Sequence, residues 1–200
     1  MEEGKRYSEA EEKILHAALK VVNEVTINGT RMHLIAENAG MVQSNVHYYY
    51  KTKQQLMEEL QNRILEEFYS HRRVDKKQNP DTLEGQLHVF FQQKKYMLQK
   101  KRDYDFGEMN FIIQSKIDEK IRKCFQESYT EWRDSIREII IKFYPNIDEK
   151  NKENIPFLAV SLLEGASVQS LIDPDEFDID DYFSTAEEMV LNHIYKSVEN

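Results

Sequence analysis

The chain has 200 residues, 40% of them hydrophobic and 32% charged, an ordinary globular balance with length for one large domain or two small ones. Its net charge of −9 argues against a general nucleic-acid binder. No apolar run approaches the roughly 20 residues that span a bilayer, the opening MEEGKRYSEAEEKI has no apolar signal core, and the single cysteine, Cys124, excludes an intrachain disulfide, so a cytoplasmic protein with no membrane segment is expected.

Six glycines, four prolines and widespread helical periodicity predict an all-α chain. Ser8 with Glu11 three residues later is a capping box. The helix that follows has Ile14, Ala17, Ala18, Val21, Val22 and Val25 on one apolar face. NGT ends it, with Gly29 free to turn left-handed. Thr30 then caps a short helix, RMHLIAENA, which Gly40 stops. A second short helix spans roughly Val42 to Tyr48. KTK breaks it, and Thr52 caps a long helix from Lys53 to about Arg73.

Beyond the polar linker DKKQNPD, a helix runs from about Thr82 to Lys101, with Leu83, Leu87, Phe90, Phe91, Met97 and Leu98 apolar. The aromatic DYDFGEMNFIIQS comes next. A long amphipathic helix follows, with Ile121, Phe125, Trp132, Ile136, Ile139 and Ile140 inside, and Pro145 ends it. The polar NIDEKNKEN reads as a loop. IPFLAVSLLEGASVQSLID and DYFSTAEEMVLNHIYKSV are the last two helices, separated by PDEFDID.

Charge is unevenly placed. The first 56 residues hold seven basic and seven acidic side chains and sum to zero, so the whole −9 lies in residues 57–200. The N-terminal part can approach a phosphate backbone and the remainder would be repelled by it. Within that part, two short helices joined by AGM have the pattern of a helix-turn-helix. Ala36 and Ala39 are small where the helices meet, and Ile35 and Val46 anchor them. The second helix begins with Gln43, Ser44 and Asn45, polar side chains suited to base edges in a major groove. Thr30, Arg31, His47, Tyr48, Lys51 and Lys53 flank it and suit phosphates.

The stretches ILHAALKVV and TRMHLIAENAGMVQSNVHYYYKTKQQLMEEL resemble the DNA-binding region of the TetR family of bacterial transcriptional regulators. The shared features are Ile14 to Ala18, Ile35 to Gly40, the aromatic run Val46 to Tyr50, and Thr52, Lys53 and Leu56. Val42 stands where Ser commonly caps the family's reading helix, and His47 stands where Tyr is usual. The resemblance implies a helix-turn-helix domain over residues 1–52 and a helical ligand-binding and dimerisation domain over 53–200. It further implies a homodimer, most often a repressor, on a near-palindromic double-stranded DNA operator, released by a small-molecule effector that the sequence does not identify.

On that reading the dimer seam takes Ala159, Leu163, Ala166 and Ser170 from the penultimate helix, and Tyr182, Ala186, Met189 and Val190 from the last. The middle helices would line an effector pocket with Phe90, Tyr96, Met97, Tyr104, Phe106, Met109, Phe125, Tyr129 and Trp132. No cofactor, metal site or catalytic activity is expected: the six histidines form no ligand spacing, and no phosphate loop or nucleophile elbow occurs. The competing reading is a helical scaffold or adaptor that binds a protein partner without DNA.

Overall fold

The computed structural model describes residues 7–198, with the side chains of 71 and 73–78 outside that description. The charges of Glu2, Glu3, Lys5 and Arg6 therefore lie outside the described residues. Nine helices occur among the described residues, and no strand: α1 (Glu9–Gly29), α2 (Met32–Asn38), α3 (Gln43–Tyr49), α4 (Lys53–Gln78), α5 (Leu83–Lys100), α6 (Arg102–Gln114), α7 (Glu119–Phe143), α8 (Glu149–Ile172) and α9 (Ile179–Val198). The all-α expectation holds. The chain forms two compact units. One runs to Tyr69 and includes Arg102–Phe125; the other comprises Ser70–Lys101 and Gln126–Asn200. The three cuts fall after Tyr69, Lys101 and Phe125, so α4 as far as Tyr69, all of α6 and the start of α7 join the N-terminal helices.

In the first unit, α1 starts on the expected capping box. The Ser8 hydroxyl accepts from the Glu11 amide at 3.3 Å, and the Glu11 carboxylate accepts from the Ser8 amide at 2.9 Å. Ile14, Ala18 and Val22 are fully buried. Gly107 brings α6 close: a Cβ there would lie 2.5 Å from Leu19 Cδ1 and 3.0 Å from Ile64 Cδ1. Asn23 donates to the Asp103 carbonyl at 2.8 Å, and the buried Gln61 donates to the Ile121 carbonyl at 3.1 Å.

The end of α1 departs from expectation. The left-handed residue is Thr26 (φ 60°, ψ 170°), not Gly29. A β-branched residue there costs about 1–3 kcal/mol. The Thr30 amide and hydroxyl both donate to the Thr26 carbonyl, at 3.1 and 2.8 Å, and hold the kink. Beyond the kink Ile27 turns inward, and Val25 just before it, expected in the core, is 39% exposed.

The second unit packs α5, the later part of α7, α8 and α9 around Phe90, Phe91, Leu98, Trp132, Ile136, Ile140, Leu163 and Ile194. α8 begins earlier than expected. Asp148 caps it by accepting from the Asn151 amide at 3.0 Å, so most of NIDEKNKEN is helix rather than loop. Pro156 lies inside α8 and removes one backbone bond; burial of Ile155, Pro156, Ala159 and Leu163 offsets that loss.

Burial sorts the residues of the expected seam. Ala159, Leu163, Ala166 and Ser170 are each at most 1% exposed and face the chain's own core, as do Ala186 and Val190. Tyr182 is half-buried and donates to the Leu162 carbonyl at 2.7 Å. Of the proposed set only Met189 is well exposed. The opposite side of α8 carries Phe157, Leu158, Val168, Leu171 and Ile172, all exposed. α8 is apolar on both sides, with the expected stripe turned to the chain's own core. That is also why α8 is long and apolar enough, by length and composition, to cross a membrane, although 44% of that window is buried inside the chain.

Replacing Leu163 by Ala should cost about 2–5 kcal/mol through lost contacts and a residual cavity. Denaturant unfolding of the variant checks this.

Candidate nucleic-acid interface

The turn between α2 and α3 is set by Gly40, which sits at φ +60°, where residues with a Cβ are strained. The Gly40 amide donates to the Glu37 carbonyl at 3.0 Å and the Met41 amide to the Ala36 carbonyl at 2.9 Å, closing α2. Ile35, Ala36 and Ala39 bury α2 against the head, and Val46 with Tyr50 buries one side of α3. The other side is open. Gln43, Ser44 and Asn45 are all exposed on the first turn of α3, and Tyr48 is 73% exposed.

The side chains around this turn have distinct settings. Gln43 Nε2 lies 3.3 Å from His47 Nε2, one turn along α3. Tyr48 packs edge-on to Tyr49 with centroids 5.2 Å apart. Lys51 donates to the Tyr48 carbonyl at 3.3 Å and holds its ammonium 5.7 Å from the Tyr48 ring centre. Tyr50 plugs the core; burial, then the Glu11, Glu59 and Glu12 carboxylates, push its hydroxyl pKa up.

Three of the expected phosphate residues are engaged elsewhere. Thr30 is fully buried and spends its hydroxyl on Thr26, so it does not cap α2. Arg31 holds the N-cap position of α2 and makes no side-chain cap bond there. Its guanidinium, on an exposed residue, donates to the Asn28 and Thr30 carbonyls at 2.6 and 2.9 Å. Lys53 donates to the Ile27 carbonyl at 2.6 Å, and burial, then the Arg31 charge, lower its pKa. Both cations thus close the carbonyl end of α1, where positive charge is favoured. Thr52 does cap α4, accepting from the Gln55 amide at 3.1 Å. A cleft of about 380 Å³ opens beside Lys53, with Ile27, Met57 and Ile121 among its walls.

The aromatic set divides between the units. In the second, Phe90, Met97 and Trp132 are buried, Tyr129 is half-buried, and Tyr96 reaches the surface at 37% exposure. In the first, Phe125 is buried, while Tyr104, Phe106 and Met109 are half-buried. Arg63 stacks on Tyr104 at 5.4 Å and Arg102 on Phe106 at 5.0 Å. Two polar residues outside the expected set are fully buried in the second unit: Gln93 and Lys94, both on α5. Lys94 pairs with Glu164 at 3.2 Å. Their signal was positional, since they fall on the same helical stripe as Phe90 and Met97. Among the described residues no three His, Cys, Asp or Glu side chains cluster to hold a metal ion.

Residues 14–60 match the family described as bacterial regulatory proteins, tetR family. A search of curated proteins finds no sequence match. Solved structures share the fold over nearly the whole chain. A TetR transcription regulator from Haloarcula marismortui aligns with TM-score 0.77 at 18% identity, covering 96% of this chain and 100% of that one. A proposed transcriptional regulator from Saccharomonospora viridis, in complex with choline, aligns with TM-score 0.80 at 17% identity, covering 92% and 96%. A fatty acid degradation regulator from Bacillus halodurans aligns with TM-score 0.77 at 14% identity, covering 94% and 97%.

Lys53→Ala should destabilise the fold by about 1–3 kcal/mol, because a charged donor to the Ile27 carbonyl is lost. Lys51→Ala should stay within about 0.5 kcal/mol of the parent. Urea unfolding of the two variants makes the comparison.

Proposed function

We propose that this chain, a TetR-family protein by the sequence of its head and by its fold, is a DNA-binding transcriptional repressor that works as a homodimer. The observation that carries this is the first turn of α3. Gln43, Ser44 and Asn45 stand exposed on a helix whose other side is locked down by Val46 and Tyr50. A rigid helix with a polar leading turn is what major-groove reading requires. Gln43 and Asn45 read base edges. Tyr48, Lys51 and the exposed Arg31 approach phosphates, and His47 sits between the two sets. Lys53 contributes through its field rather than by contact. Residues 1–52 form the reading head and residues 53–200 the regulatory body.

Two copies join through the exposed side of α8, with Phe157, Leu158, Val168, Leu171 and Ile172, and through Met189 of α9. Gly165 supports this choice. Within the chain the nearest atom to a Cβ placed there would be the Tyr182 hydroxyl, 3.7 Å away, so its own fold does not require glycine. A glycine inside a helix costs about 1 kcal/mol relative to alanine, and close approach of a second α8 would offset it. A two-fold dimer then presents two α3 helices to half-sites about 34–36 Å apart.

A small-molecule effector acts by population shift. It binds better to a form in which α4 has moved and the heads no longer match the groove spacing. Emptying a nearly full operator requires about 5.5 kcal/mol of preference for that form. The Saccharomonospora viridis relative, solved with choline, is a precedent for a small ligand on this fold. The protein works in the cytoplasm, where the operator is.

Selection from a random DNA pool should return a near-palindrome; recovery of no enriched sequence would contradict DNA reading. Lys51→Ala should weaken binding to all sequences alike and lower the salt slope by about 1, whereas Gln43→Ala should lose about 1–3 kcal/mol of discrimination at one position per half-site. Both are read from binding isotherms across salt and operator variants. Leu171→Glu should convert the dimer to monomer in light scattering while helical content is retained.

A further inference from the structure

We propose that the interior of the second unit binds an apolar molecule bearing a carboxylate, with Gln93 and Trp132 donating to its oxygens. This deepens the ligand-responsive reading above and rests on it. Gln93 is 0% exposed, and neither its amide nitrogen nor its amide oxygen has a hydrogen-bond partner. Trp132 is 3% exposed, and its indole Nε1 has none either. Buried polar groups left this way are costly, and native chains keep few of them. Leucine at position 93 would fill the same stripe of α5 without that cost.

The surroundings define what would satisfy these groups. Phe90 lies one turn from Gln93 on α5. The Arg72 guanidinium stands 5.5 Å from the Phe90 ring and 4.8 Å from the Trp132 ring, so the two aromatics share one neighbourhood. Tyr129 packs edge-on to Trp132 at 5.8 Å. The orphaned atoms are three N–H donors and a single acceptor, Gln93 Oε1. Oxygen acceptors with negative charge fit that inventory, and the aromatic faces take an apolar remainder. A quaternary ammonium offers no acceptor for these donors. The adjacent buried ammonium, Lys94, is matched by Glu164 and leaves the balance unchanged.

Trp132 is the only tryptophan, so intrinsic emission reports on this site alone. The full-length chain is titrated with octanoate and phenylacetate, and with choline and octyltrimethylammonium as cationic counterparts, while Trp132 emission and melting temperature are followed. The expected result is a saturable emission change and a higher melting temperature with at least one carboxylate and with neither cation. Gln93→Leu should melt higher than the parent without ligand, yet bind the active carboxylate about tenfold or more weakly. Trp132→Phe, read by melting temperature, should lose most of the carboxylate shift. The proposal is overturned if neither carboxylate acts, if the cations act as well as the carboxylates, or if Gln93→Leu binds unchanged. Operator binding by ligand-free Gln93→Leu separates the two claims. Parent and variant that both hold operator while ignoring carboxylates sink this inference and spare the repressor reading. A carboxylate response in a chain that enriches no DNA sequence sinks the repressor reading instead.

Discussion

Burial of α1 on more than one side is the constraint on which the first unit depends. Ile14, Ala18 and Val22 are closed off completely, with α2 packed against one part of the helix and α6 against another. At about 25 cal/mol per Å² of apolar surface removed from water, a few such residues outweigh any single polar contact in the head. That frees α2 and α3 to be short. Seven residues each are too few to be stable alone, but Ile35, Val46 and Tyr50 dock them onto a wall that is already in place. A polar leading turn can then be left uncovered at little cost to stability.

The same packing explains how charge is used. The carbonyl end of α1 must be satisfied next to a kink, and Arg31 and Lys53 converge on it. Two cations that look like phosphate partners are therefore also structural, and the head stays neutral overall while presenting Lys51 and the α3 turn outward. The acidic remainder of the chain opposes loose association with nucleic acid. On the function proposed above, affinity for DNA has to come from a fitted surface and not from bulk charge.

Much of this was legible in the sequence, for identifiable reasons. The Ser8 and Glu11 pair, the Gly40 turn, the Thr52 cap and the inner faces of α5 and α7 are local patterns whose chemistry depends on residues a few positions apart. What misled was anything decided by a third partner. The kink at Thr26 follows from a bond by Thr30, not from the nearby glycine. The polar NIDEKNKEN became helix because Asp148 caps it. α8 is apolar on both sides, so periodicity located a stripe without showing which stripe the chain would keep for itself. Gln93 and Lys94 were passed over because a polar residue on an amphipathic helix normally faces water, and only tertiary packing places them inside.

Gly107 lets α6 lie against Leu19 and Ile64 with no side chain of its own in between. Side chains at a helix crossing act as cushions, since rotamer changes absorb small displacements before backbones must follow. At this crossing α6 brings no such cushion, and the ends of Leu19 and Ile64 supply it alone. A shift of α6 is met first by those two side chains, and the Asn23 bond to the Asp103 carbonyl ties α1 and α6 a turn away. The crossing is a close approach of the α6 backbone to α1 and α4, and any side chain added at position 107 would have to displace Leu19 and Ile64.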